Sequence, residues 1–483
     1  MTARKQIRFL SLLASTALLA ACGTVAPDYE RPPAPVAGAL PFSEPGIDQE
    51  AELADWRALV GDATLRNLIE TALANNRDLR VAILNVERAR ALYRVRRADS
   101  FPTISADGGY VRQRIGENAS TGTAGAGNGM RAEPLVIEQF SVDAAVSAYE
   151  LDLFGRVRSL NAQALETYFA SEETRRSAEI ALAAEVAIAY FQLIADRERL
   201  SIARETVVSQ QDSRDLTRTL VENGLGNDLD VQRVETSVQR ARADAAALQA
   251  QIARDENALR LLVGTPELPD MPATSFSEID VPDAAPAAVS SAALLERPDV
   301  VAAERRLRAA NANIGAARAA FFPRILLTAS AGTASAELSD LFSGGTGVWS
   351  FAPSISIPVF TGGRNRAQLA GAKIDRDIAL SGYEKAIQSA FRDVADALAT
   401  RNTIDVRLDA TQKLAEAAAK TYELADARFR NGVDDYLAVL DAQRADYSAR
   451  QELVAVRLEE ATNAIELYRA FGGIPRIPDI QAK

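Results

Sequence analysis

The sequence predicts a mainly α-helical protein that also carries β-strands suited to a membrane, arranged as two tandem structural repeats. Three observations carry that expectation. Two very long proline-free runs hold helical apolar stripes, shorter segments between helices alternate apolar with polar residues, and the landmarks of the first half recur in order in the second.

The duplication sets the frame. "RADSFPTIS" (97–105) returns as "RAAFFPRIL" (318–326), and "NGLGNDLDV" (223–231) returns as "NGVDDYLAV" (431–439). Asn223-Gly224 and Gly264 keep step with Asn431-Gly432 and Gly472. A long internal duplication of this kind points to two structural repeats in one fold. The expected division is a leader over 1–21, a Pro-rich segment over 22–60, repeat 1 over 61–266, a Pro-rich linker over 267–290, repeat 2 over 291–475 and a tail over 476–483. The stretches "PDYERPPAPVAGALP" (27–41) and "TPELPDMPATSFSEIDVPDAAP" (265–286) read as irregular segments laid over a surface.

Each half contains one long helix, running from Gly155 to Asn223-Gly224 and from Gly363 to Asn431-Gly432. At 1.5 Å per residue each reaches about 100 Å. Leu182, Val186, Ala189 and Leu193 recur at helical spacing, as do Leu414, Ala418, Tyr422, Ala425 and Phe429, giving packing stripes in an Ala-rich, charged background. Shorter helices over 63–99 and 228–263 together nearly match one long one, and Asn-Gly is a natural helix stop at a hairpin tip.

Four strand candidates lie near 103–115, 136–149, 324–333 and 349–359. Phe-Pro at 101–102 and 322–323 ends the helix before the first and third. In "WSFAPSISIPV" (349–359), Trp349, Phe351, Ile355, Ile357 and Val359 share a face, opposite Ser350, Ala352, Ser354 and Ser356. In 136–148, Val136, Phe140, Val142, Ala144 and Val146 oppose Gln139, Ser141, Asp143 and Ser147. This is the apolar-out, polar-in alternation of a membrane barrel, and Trp349 suits an interfacial aromatic belt. The loop over 116–133 is polar and Gly-rich, as an external loop should be. Four strands cannot close; small barrels need about eight, and an open edge in lipid is costly. Cyclic assembly of identical chains is therefore required if these strands span a bilayer.

The start of the chain adds an address. Arg4, Lys5 and Arg8 precede an apolar stretch from Phe9 to Ala20, the proportions of a secretory signal, and Leu19-Ala20-Ala21-Cys22 follows. Cys22 is the only cysteine and there is no histidine, so disulfide, CxxC and Cys–His chemistry lack partners. No metal-ligating cluster stands out. Losing the leader takes the net charge from −11 to about −14, which disfavours nucleic-acid binding. Beyond the leader, no apolar run approaches the ~20 residues of a membrane helix.

The lipobox-like start, "LLERPDVVAAERRLRAANANIGAARAAFFP" (294–323), "IPVFTGGRNRAQL" (357–369) and "NGVDDYLAVLDAQR" (431–444) resemble the outer-membrane efflux factor (TolC-like) family, in its lipoprotein branch represented by OprM. The resemblance covers nearly the whole mature chain. It implies a homotrimer in which four strands per chain form one 12-stranded β-barrel, continued by a periplasmic α-helical coiled-coil barrel. It also implies a lipid on Cys22, with Gly23 after it pointing to the outer membrane, a periplasmic adaptor, and an inner-membrane pump usually of the resistance-nodulation-division type. The implied function is a passive exit duct, with no enzyme chemistry and no cofactor beyond the covalent lipid.

The same resemblance marks candidate sites. Leu437 and Asp441 match the apolar and acidic residues that ring the periplasmic end, and lying four apart they share a helical face. Three Asp441 carboxylates at an axis would favour cations; read alone, Asp441 is a solvated helix charge. Arg428, Arg430, Asp434 and Asp435 crowd the same tip, either as solvated pairs or as bridges between chains that hold a gate shut. TolC-like proteins carry a basic residue at the Asp434 position and an acid at the Ala438 position, so the chain departs from them at both. Gly224-Leu225 and Gly432-Val433 resemble the tips that meet the adaptor, and each also reads as an ordinary helix stop. Within the family the duct could serve drug efflux, metal-ion efflux or type I protein secretion. Outside it, a lipid-anchored periplasmic coiled-coil scaffold explains Cys22 and the helices but not the strands. A secreted hydrolase lacks any motif isolating a catalytic pair or triad.

Overall fold

The structure, a computed structural model, describes residues 24–38, 40, 60–115, 135–224, 226–279 and 291–473. The leader with Cys22, the loop over 116–133, Leu225 and the tail over 476–483 lie outside the described residues. The elements run α1 (Ala63–Asn75), α2 (Arg77–Ala98), β1 (Ile104–Ile115), β2 (Leu135–Leu151), α3 (Arg156–Glu222), α4 (Asp228–Val263), α5 (Pro298–Ala319), β3 (Arg324–Ser335), β4 (Gly347–Ser356), α6 (Arg364–Arg430) and α7 (Tyr436–Ala470). Both long helices have 67 residues, bounded as their glycines suggest.

The helix expected over 63–99 is two helices. Asn76 adopts an extended ψ of 133° between them, its Oδ1 accepts from the Leu79 N–H at 2.9 Å, and its Nδ2 donates to the Leu262 carbonyl at 2.8 Å. One buried amide thus caps the start of α2 and ties it to α4, the work an Asn does well at a helix start. At the end of α4, Gly264 is left-handed (φ 75°), and a Cβ there would sit 2.6 Å from the Asn75 carbonyl oxygen. Only glycine fits that cap.

Two compact units each draw on both sequence halves. The first comprises 1–31, 88–168 and 305–380, the second 32–87, 169–304 and 381–483. The first unit holds the sheet, antiparallel in the order β1-β2-β3-β4. Its Pro-rich segment lies along α3 and α5: Thr24 shares a 3.0 Å hydroxyl contact with Ser159, Asn311 donates to the Pro27 carbonyl at 2.8 Å, and the Arg308 guanidinium lies 4.7 Å from the Tyr29 ring centroid.

The second unit holds the main core. Leu65, Leu68 and Ile69 of α1 meet Val186, Tyr190, Phe191 and Ile194 of α3, with Leu259 and Val263 of α4 and Val454 and Ile465 of α7. Leu182, Val186 and Leu193 are buried as their stripe predicts, with Ala189 packed beside them. In the α6 stripe Leu414 is exposed, and Ala415 takes the buried position beside Ala418 and Ala449. Contrary to the expectation of no membrane-length apolar run, an 18-residue window of α3 is apolar enough to cross a membrane by composition, yet 56% of it is buried within the protein. The linker does more than cover a surface. Met271, Ala273 and Phe276 are buried in the core, the Arg197 guanidinium donates to the Met271 and Ala273 carbonyls at 2.6 and 3.1 Å, and Glu198 accepts from the Phe276 N–H at 2.9 Å.

Candidate functional site

Paired residues in an antiparallel sheet share a face, so the register gives each face directly. One face carries the rows Ile104–Val146–Ala329–Phe351, Ala106–Ala144–Ala331–Trp349 and Tyr110–Phe140–Ser335, then Tyr149–Leu327–Pro353 and Leu151–Ile325–Ile355. It is largely apolar as far as Tyr110–Phe140, broken by Thr333 and Ser335, and beyond that row the same face carries Arg114 and the Arg112–Glu138 ion pair at 2.9 Å. The other carries Ser105–Ala145–Ser330–Ser350, Asp107–Asp143–Gly332–Val348 and Arg324–Ser356, with the Ser330 and Ser350 hydroxyls 2.8 Å apart and Ser105 donating to Asp107 at 2.6 Å.

A β-bulge between Val146 and Tyr149 keeps the apolar rows on one face across it. Ala148 has φ 52°, and its N–H reaches the Thr328 hydroxyl at 3.4 Å. The extra residue moves the apolar face from even numbers before it to the odd Tyr149 and Leu151 after it. Ser147, expected on the polar face of a regular strand, instead falls inside the bulge. The fourth strand is shorter than expected: β4 ends at Ser356, opposite Arg324 at the start of β3, so Ile357 and Val359 lie beyond it. Pro358, without an N–H to donate, suits that stop. Trp349 stands 79% exposed towards one end of the apolar face, and Tyr110 stacks on Phe140 at 4.6 Å near the same end. Phe154 and Phe322 stack at 4.7 Å where strands give way to helices.

The second candidate region is the turn from α6 to α7. Gly432 takes φ 70°, its N–H bonded to the Phe429 carbonyl at 2.9 Å, while the Val433 N–H reaches back to the Arg428 carbonyl at 2.9 Å. That is a left-handed helix stop, and it leaves Val433 61% exposed. Gly224 repeats the positive φ at the α3–α4 turn. Two ion pairs form at this turn, one of them with Asp426, which sequence reasoning did not name. Arg428 grips Asp434 through Nε at 2.6 Å and a second nitrogen at 2.9 Å, and Arg430 pairs with Asp426 at 2.7 Å. The Arg428 hydrogen bonds hold the Asp434 carboxyl below the usual carboxylate range. Asp435 serves the backbone instead, accepting from the Ala438 N–H at 3.3 Å as N-cap of α7.

Leu437 and Asp441 lie on an exposed face of α7, Leu437 at 43% exposure, with Arg444 4.0 Å from Asp441. The opposite face of α7 is packed. Val439, Leu440 and Tyr436 meet Val234 and Val238 of α4, and Tyr436 packs edge-on to Phe429. Sequence reasoning missed the polar chain beside this cluster. The Tyr436 hydroxyl donates to Gln210 at 3.3 Å, Gln210 donates to Gln443, Gln443 donates to the Ser209 hydroxyl at 3.0 Å, and Ser209 meets the Tyr422 hydroxyl at 2.6 Å. Burial pushes Tyr436 up to about 12, so it stays a donor. Two glutamines at helical positions carry no local sign that they will meet; only their burial identifies them.

Among the described residues no group of acids, histidines or cysteines could hold a metal ion. What the chain offers is a two-faced wall and a hairpin whose exposed face carries Leu437 and Asp441.

A family model described as outer membrane efflux protein matches residues 68–265 and 289–473. The chain belongs to that family, whose members are outer-membrane proteins of Gram-negative bacteria. It is 45% identical over 470 residues to the probable efflux pump outer membrane protein TtgC of Pseudomonas putida, covering 96% of this chain and 95% of that one. It is 42% identical over 476 residues to the outer membrane protein OprJ of Pseudomonas aeruginosa, covering 97% and 96%. Among solved structures, the open state of the Neisseria gonorrhoeae MtrE outer membrane channel is similar with a TM-score of 0.82 at 39% identity, over 93% of this chain and 98% of that one.

Proposed function

We propose that three copies of this chain form a passive exit duct for drugs or other small toxic molecules across the periplasm and outer membrane. The observation that carries the reading is the sheet: one face largely apolar from the strand–helix joins to the Tyr110–Phe140 row and charged beyond it at Arg112–Glu138, the other mostly polar, with β1 and β4 each left with an unpaired edge in the described chain. Lipid suits the first face and a watery lumen the second, and edge pairing between three copies gives twelve strands. The corresponding order of the two halves and the equal length of their long helices suit a tandem repeat continued as a helical barrel. Cys22 carries the lipid anchor, and Trp349 sits in the aromatic belt. Leu437 and Asp441 line the periplasmic constriction, steadied by the Arg428–Asp434 clamp and the Arg430 pair. The tips at Gly224-Leu225 and Gly432-Val433 receive a periplasmic adaptor linked to an inner-membrane pump of the resistance-nodulation-division type. No cofactor and no enzymatic step are needed.

The efflux-pump names of the relatives favour small molecules over metal ions or secreted protein as cargo. The test is planar-bilayer recording of the purified, lipidated protein. It should pass current as a trimer, and Asp441→Ala should lower cation preference and change the closed-state conductance. A monomer that never conducts would refute the duct; unchanged conductance and selectivity in Asp441→Ala would remove the gate assignment alone.

A further inference from the structure

At the end of the sheet where Arg324 pairs with Ser356 and Leu151 with Ile325, all four strands join helices, and arginines gather at the joins. Some are neutralised locally. Arg156 and Arg324 both bind Glu150, at 2.7 and 2.6 Å, Arg158 binds Asp152 at 3.4 Å, and Arg96 lies 3.6 Å from Asp99. Four are not. Arg94 and Arg97 at the end of α2, and Arg364 and Arg366 at the start of α6, are exposed and have no acidic partner among the described residues. The nearest acids on their own helices in the direction away from the sheet are Glu87 and Asp375, about 15 Å below Arg97 and Arg364 at helical rise.

Each pair sits beside bare apolar surface. Phe101, 63% exposed, follows Arg97, and Phe360, 91% exposed, precedes Arg364. A cation pair next to an uncovered ring matches an amphiphile with an anionic head. A water-soluble anion would have no use for the rings, and the carboxylates at these joins, Asp99, Glu150 and Asp152, are already held by other arginines. The pairs flank opposite edges of the sheet, α2 leading into β1 and α6 following β4. If the edges meet in a closed ring, as the proposed duct requires, the pairs of adjacent copies come together at every seam.

We infer that Arg94, Arg97, Arg364 and Arg366 form a binding site, completed between copies, for the phosphodiester headgroup of an anionic phospholipid. Guanidinium groups bind phosphate oxygens in pairs, and cations beside a bilayer are drawn to anionic lipid. The inference rests on the sheet spanning the membrane.

The test uses the full-length trimer, exchanged into mixed micelles holding equal phosphatidylglycerol and phosphatidylcholine and read by native mass spectrometry. Wild type should retain phosphatidylglycerol over phosphatidylcholine by at least about fivefold. The R94Q/R97Q/R364Q/R366Q variant should bring the ratio close to one while still forming trimers that conduct in phosphatidylcholine bilayers. No preference in wild type, an unchanged ratio in the variant, or full displacement of lipid by millimolar inorganic phosphate would overturn the site. Loss of the variant's trimers in neutral lipid would also overturn it, assigning the arginines to a neighbouring chain. Failure of wild type to form a conducting trimer would sink the duct itself, a separate outcome.

Discussion

Replacing Asp255 with asparagine should stabilise the protein, and only above a particular pH. Asp255 of α4 is 8% exposed; its Oδ1 accepts from Gln251 at 2.8 Å, and its Oδ2 has no hydrogen-bond donor. Asp196 of α3 is 2% exposed and already accepts from Gln192 at 2.8 Å and Arg199 at 3.0 Å. Burial raises the Asp255 carboxyl most, Gln251 pulls it back, and the adjacent Asp196 carboxyl pushes it up again, to about 6 from an ordinary 3.8. The folded chain therefore holds this proton more tightly than the unfolded one. No penalty exists below the unfolded value near 4; it grows as pH rises and is complete above about 6. Two pH units correspond to about 3 kcal/mol per chain as an upper bound. An asparagine side chain needs no proton, and its amide can donate to Asp196. Asp255→Asn should gain roughly 1–3 kcal/mol at pH 8 and almost nothing at pH 4. Guanidinium midpoints followed by far-UV circular dichroism in detergent measure this. An offset that is the same at every pH, or a loss at pH 8, would refute the reasoning.

Two other substitutions probe the hairpin. Gln443→Leu leaves the Gln210 amide without its acceptor and the Ser209 hydroxyl with Tyr422 alone, which should cost about 1–3 kcal/mol; adding Gln210→Leu should recover part of it, so denaturant midpoints of both singles and the double decide whether the glutamines act as a pair. Glutamates at Leu225 and Val433 put charge on both tips without disturbing the glycine turns. Trimers should persist on native gels while drug export in a complemented deletion strain is lost, and retained export would dismiss the tips as the adaptor's landing place.

Much of the fold was legible because its signals are local. Glycines and Asn-Gly pairs bracket α3 and α6, and alternation marks the strands, since a two-faced wall must write its faces into successive residues. The remainder depends on partners distant in sequence. Asn76 breaks a helix because Leu262 and Leu79 both need its amide. Phe276 sinks into the core because Arg197 and Glu198 satisfy the linker backbone beside it. The site divides the same way. Leu437 and Asp441 could be placed on one helical face from spacing alone, whereas the Gln210–Gln443 pair, and the choice of Asp434 over Asp435 for Arg428, emerge only when α3, α6 and α7 are packed together.

The single added residue at Ala148 works like a shift of reading frame within one strand. Before it, the even positions from Phe140 to Val146 form the apolar face; after it, the odd ones do, and Glu150 keeps its place with Arg156 and Arg324 because of that change of phase. Deleting one residue there would invert the end of β2, moving Tyr149 and Leu151 to the polar face and the Glu150 carboxylate to the apolar one. This strand can therefore tolerate many changes of letter, but hardly any change of length.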